Sequence, residues 1–161
     1  MVEDAASHER FLRLAIDLAE ERARQGAGGP FGALVVREGG VVGTGFNAVV
    51  ALGDPTAHAE VQAIRDACAR LGTYRLDRCD LYASCEPCPM CLGAIYWARL
   101  RTVYFAGTRT DAAAAGFDDA RFHEDMARLP AERAIQLVRL LGDEGRRPLT
   151  AWLAKPDRLP Y

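Results

Sequence analysis

The run from Cys79 to Gly107 constrains the fold more than any other part of the chain. CDLYAS (79–84) reads as a strand, PMCLGAIYWAR (89–99) as a helix with Pro89 suited to its first turn, and TVYFAG (102–107) as a strand again. A strand, a helix and a strand of this length join two parallel neighbours through a crossover. Upstream, FGALVVRE and VVGTGF flank Gly39-Gly40 and read as a β-hairpin, which is antiparallel. The sheet is therefore expected to be mixed, in an α/β fold with helices packed on it.

Two further helices supply the packing. Residues 8–25 place Phe11, Leu14, Ala15 and Leu18 on one face, with Ser7 as the expected N-cap and GAGGP (26–30) as the stop. Residues 58–71 place Val61, Ile64, Ala67, Cys68 and Leu71 on another stripe, ended by Gly72. The region 111–128 reads as loop and short helix, IQLVRLL (135–141) as either strand or helix, and RPLTAWLAK (147–155) as helix. No repeat, low-complexity linker or domain boundary interrupts the 161 residues, so a single domain is expected.

A net charge of −2 gives no long-range field for phosphate backbones. No apolar run approaches eighteen residues, and MVEDAASHER is too acidic for a signal peptide, so the expected compartment is the cytoplasm. There thiols stay reduced, and the five cysteines (68, 79, 85, 88, 91) point to metal or redox chemistry rather than a disulfide framework.

SCEPCPMC (84–91) offers three of those sulfurs. Cys88 and Cys91 both belong to the start of the helix, where unpaired N–H groups and the helix dipole favour thiolate. Cys85 precedes it, at the strand end, and is expected to point elsewhere. In PTAHAEVQAI (55–64), His58 and Glu60 open the preceding helix. Zinc takes Cys and His ligands in a tetrahedron, so His58, Cys88 and Cys91 form a three-ligand set with one corner left for water, the catalytic arrangement. A structural site would need a fourth protein ligand, and Cys85 is the candidate. Cys68 and Cys79 read as packing residues, and His8 and His123 as solvent-facing.

H-x-E followed by P-C-x-x-C is the zinc deaminase signature. Zinc lowers the pKa of its water toward about 7, supplying hydroxide as nucleophile, and a carboxylate that does not bind the metal carries the protons, a role that falls to Glu60. The runs DPTAHAEVQAIRDAC, LYASCEPCPMCLGAIYWAR and TDAAAAGFDD, over nearly the whole chain, resemble the bacterial guanine deaminases of the cytidine deaminase-like superfamily. AGFDD (115–119) and the terminal aromatic residue carry the resemblance to the guanine branch.

The resemblance implies a three-layer α-β-α fold around a mixed sheet of about five strands. It implies zinc on His58, Cys88 and Cys91, Glu60 as proton shuttle, Asn47 bonding the purine, and Asp119 holding the base and assisting proton transfer. It also implies a homodimer in which a C-terminal segment, about 143–161, is exchanged and Tyr161 closes over the substrate. Phe31 and Trp97 are the aromatic candidates for walls against the purine. The expected substrate is a small purine, guanine, converted to xanthine and ammonia; neither nucleic acid nor membrane is an expected partner. Three alternatives stand beside it: deamination of another small base, nucleoside or aminotriazine, a tRNA adenosine deaminase, and a purely structural zinc protein.

Overall fold

The structure, a computed structural model, describes residues 5–160. Strand β1 (Gly32–Arg37) turns into β2 (Gly40–Phe46) through Glu38 and Gly39, at φ 53° and 77°. A two-residue hairpin loop needs positive φ at both central positions. The turn therefore sits one residue earlier than the Gly39-Gly40 pair suggests, and Gly40 already pairs with Arg37.

β1 also pairs antiparallel with β3 (Cys79–Cys85), and β3 pairs in parallel with β4 (Thr102–Gly107) across the crossover helix α4 (Pro89–Ala98). The strand order is β2-β1-β3-β4. The mixed sheet has four strands among the described residues, rather than about five. The candidate for a fifth, residues 135–141, takes up no regular structure. A strand exists only where a neighbour satisfies its backbone groups, and this segment falls in a separate compact unit.

Helix α1 (Ala5–Arg24) covers one face of the sheet, with Phe11 and Ala15 against Leu34, Val36 and Tyr82. Ser7 lies inside this helix rather than capping it. The buried stripe is Phe11, Ala15 and Ala19, while Leu14 is 44% exposed. The backbone explains the choice: a Cβ on Gly32 would lie 2.5 Å from the Ala15 carbonyl oxygen, so helix and strand touch where only small residues fit. His8 is not solvent-facing. It stacks on Tyr104 at 4.2 Å between ring centroids, with Nδ1 2.7 Å from the Tyr82 hydroxyl.

The other face carries α3 (Ala59–Leu71) and α4, with Ala33, Val35, Leu81 and Ala83 packed against Ala59, Ala63, Ala67 and Ile95. α3 lies almost on the backbone of β2. A Cβ on Gly45 would sit 2.1 Å from the Ala59 carbonyl oxygen, and one on Gly43 would sit 2.4 Å from that of Ala63. Any side chain at Gly45 would push the start of α3 off the sheet, and overpacking of this kind costs about 1–3 kcal/mol. The short helix α2 (Val49–Leu52) links β2 to α3, and α5 (Arg109–Ala114) and α6 (Asp119–Ala127) follow β4. A reciprocal capping box between Thr108 and Asp111 starts α5.

The chain divides into two compact units at Met126. The second contains two single 3₁₀ turns (Pro130–Glu132 and Glu144–Arg146) and α7 (Arg147–Leu153). Its Ile135, Leu137, Val138, Leu140 and Leu141 are 71–79% exposed. Among the described residues, no helix is long and apolar enough to cross a membrane.

Candidate metal centre and adjoining cavity

Two helix starts meet at the end of the sheet where β3 and β4 finish. His58 is the N-cap of α3 and Cys88 the N-cap of α4, both in extended backbone (φ −72°, ψ 155° and φ −68°, ψ 168°). Neither side chain caps its own helix, so imidazole and thiol are directed elsewhere. Pro89 supplies the fixed φ of the first helical position, and Cys91 follows within the first turn, fully buried.

His58 Nδ1 lies 3.6 Å from the Cys88 sulfur and 3.6 Å from the Cys91 sulfur. The three donor atoms lie within 4.8 Å of one another. Zinc–sulfur bonds of about 2.3 Å and zinc–nitrogen bonds of about 2.0–2.1 Å, at a tetrahedral angle, separate N from S by about 3.6 Å. The donor set therefore fits zinc in both chemistry and spacing.

The electrostatics agree. The Cys91 thiol, hydrogen-bonded to Cys88, holds the Cys88 sulfur well below the usual thiol range, and His58 adds to the effect. Cys91 is correspondingly pushed up, first by that shared bond and then by burial. His58 is raised, chiefly by its bond to Cys88. A cation between the three would take the place of the shared proton. Cys85 stands apart: its sulfur donates to the Thr108 carbonyl at 3.4 Å, and burial pushes it up to about 11, a neutral thiol.

A cavity of about 300 Å³ opens beside these donors and brings together His58, Glu60, Asn47, Phe31 and Asp119. Glu60 is 7% exposed, and burial pushes its carboxyl up to about 7. Asn47 is held from three sides. Its backbone N–H donates to the Phe31 carbonyl at 3.0 Å, and its Oδ1 accepts from Val49 N–H at 3.3 Å. Gly28 packs so closely that a Cβ there would lie 1.7 Å from the Asn47 carbonyl oxygen. Asp119 is the first residue of α6, its carboxyl raised by burial and then by the Cys88 charge. A larger cavity of about 640 Å³, lined by Arg22, Phe46 and Arg65 among others, contains none of the expected site residues.

Trp97 stands apart from the cavity of its own chain. It is 63% exposed and does not line the cavity. It lies six residues past Cys91, about 9 Å farther along the axis and two-thirds of a turn around it. The expected role of Tyr161 lies outside the described residues. Sequence reasoning missed Phe117, Phe122, Glu86 and Val49-Val50, all of which line the cavity. Phe117 meets the Phe31 ring edge-on at 4.7 Å between centroids. The signal was present in GFDDARF, where the two phenylalanines flank Asp119, but it lay in a region read as loop and short helix. His123 is not solvent-facing either: its Nε2 lies 3.3 Å from the Pro87 carbonyl oxygen.

Several known proteins resemble this chain. The family model for the cytidine and deoxycytidylate deaminase zinc-binding region matches residues 5–107. The guanine deaminase of Bacillus subtilis (strain 168) is 51% identical over 155 residues, 96% of this chain and 99% of that one. The X-ray structure of guanine deaminase from Bacillus subtilis superposes with a TM-score of 0.91 at 49% identity, covering 96% of this chain and 98% of that one. The tRNA-specific adenosine deaminase of Aquifex aeolicus is 44% identical over 98 residues, 61% of this chain and 64% of its own.

Metal analysis of purified variants separates the ligand set from its neighbour. His58→Ala and Cys91→Ser are expected to lose zinc, and Cys85→Ser to keep one ion per chain. Loss of zinc from Cys85→Ser would make the site four-liganded and structural.

Proposed function

The chain belongs to the cytidine and deoxycytidylate deaminase zinc-binding family, and on that premise we propose that it hydrolyses guanine to xanthine and ammonia. The observation that carries the reading is the cluster of His58, Cys88 and Cys91 beside a cavity that His58 and Glu60 both line. His58, Cys88 and Cys91 would hold zinc, which when bound lowers the pKa of water toward about 7.

Glu60 is suited to move protons because its buried carboxyl binds them near neutrality. It takes one proton from the attacking water and passes it to the ring nitrogen beside the attacked C2, then takes the second proton from the new C2 hydroxyl and passes it to the departing amine, so that the C–N bond breaks as the carbonyl forms. The balance is guanine plus water to xanthine plus ammonia. With Oδ1 occupied by Val49 N–H, Asn47 offers its amide Nδ2 to a purine acceptor. The Asp119 carboxylate accepts from N1–H or from the amino group and assists the proton transfer. Phe31 forms an apolar wall together with Phe117. Two polar groups of the base then meet a partner, which matters because an unpaired buried polar group costs about 1–3 kcal/mol.

The near full-length match to guanine deaminase supports this reading over a tRNA deaminase, whose match covers 61% of the chain. A near-neutral chain of net charge −2 also lacks the field that nucleic acid binding uses. We assign the protein to cytoplasmic purine metabolism.

The exposed apolar residues of the second unit support a homodimer in which the C-terminal segment is exchanged. Tyr161 would then close over the partner's substrate. Sedimentation equilibrium is expected to give twice the 17.5 kDa chain mass; a monomer at micromolar concentration would remove the dimer. For the reaction, zinc-loaded protein is expected to convert guanine to xanthine, followed by absorbance. Glu60→Gln should retain zinc and lose about 10²–10⁴ in kcat. Absence of turnover by the parent protein, or a near-normal rate in Glu60→Gln, would contradict the assignment.

A further inference from the structure

Helix α6 contributes Asp119 and Phe122 to the cavity, yet none of its residues is buried. Its apolar packing therefore does little to fix its rotation. Asp119, Phe122 and His123 fall at i, i+3 and i+4, one face of the helix. A carbonyl oxygen only accepts, so at 3.3 Å His123 Nε2 carries the proton and donates to Pro87. The two residues are 36 positions apart in the chain, and Pro87 immediately precedes Cys88, the N-cap of α4. Two residues before Asp119, Phe117 is held edge-on against Phe31. Asp119 thus lies between two ties, one aromatic and one polar.

We infer that His123 is a positioning residue for the deamination: by tying α6 to the carbonyl beside Cys88, it fixes the Asp119 carboxyl relative to the metal donors. This rests on the reading of Asp119 as a substrate contact. A side-chain group about 6 Å from a helix axis moves about 1 Å for each 10° of rotation, and a 1 Å misplacement at a reacting centre can cost about a hundredfold in rate. One hydrogen bond placed one turn beyond Asp119, on the same face, resists that rotation.

The test is a double-mutant cycle in kcat/KM for guanine, with zinc content and Tm measured alongside. His123→Ala is expected to lower kcat/KM by about tenfold or more, with zinc retained. In an Asp119→Ala background, the same change should have less than about a twofold effect, because the residue acts through Asp119. His123→Gln, whose amide nitrogen reaches close to the position of Nε2, should recover activity to within about threefold of the parent. Unchanged kcat/KM in His123→Ala, an equal fall in both backgrounds, or loss of zinc from His123→Ala would each overturn the inference. An unimpaired Asp119→Ala would instead remove the reading of Asp119 on which it stands.

Discussion

Two helix N-termini meet at one point, and the first unit of the chain is arranged so that they do. One contributes an imidazole from its N-cap, the other a sulfur from its N-cap and a second from its first turn. The 3.6 Å separations suit a single tetrahedral ion. Helix starts are economical places for such ligands because their unpaired N–H groups favour thiolate before any metal arrives. Three ligands rather than four would leave one corner for water, and Glu60, with a raised proton affinity, lines the cavity that His58 borders.

The convergence depends on backbone contact far from the metal. α3 approaches β2 as closely as it does because Gly43 and Gly45 face Ala59, Ala63 and Ala67. The parallel β3–β4 pair carries α4 across the same face, so both helices begin at the same end of the sheet. On the opposite face, α1 seats Phe11 and Ala15 against Tyr82 and Leu34, so β1 and β3 are packed from both sides. Gly28 plays a comparable local part at Asn47, where no larger residue could approach the backbone.

Where the sequence was legible, the reason was local. The strand–helix–strand run from Cys79, the stop at Gly72 and the helix starts at His58 and Cys88 are set by periodicity and by glycine and proline chemistry, and the structure follows them closely. The expectations that failed depended on distant partners. Leu14 reads as core by spacing, but the close approach at Gly32 buries Ala19 beside the expected Phe11 and Ala15 and leaves Leu14 outside. His8 and His123 look exposed in sequence because Tyr82, Tyr104 and Pro87 lie 74, 96 and 36 residues away. Trp97 lies farther along α4, outside the cavity of its own chain. The segment 135–141 has the apolar composition of a strand, but among the described residues no other strand lies in its unit to pair with it, so apolar pattern alone did not decide its conformation.

X-ray absorption at the zinc edge of the metal-loaded protein counts the sulfur ligands. Two sulfurs at about 2.3 Å and two lighter donors at about 2.0–2.1 Å are expected, one of the lighter donors being solvent. A third sulfur in the coordination sphere would contradict the account, because the corner reserved for the attacking water would then be closed.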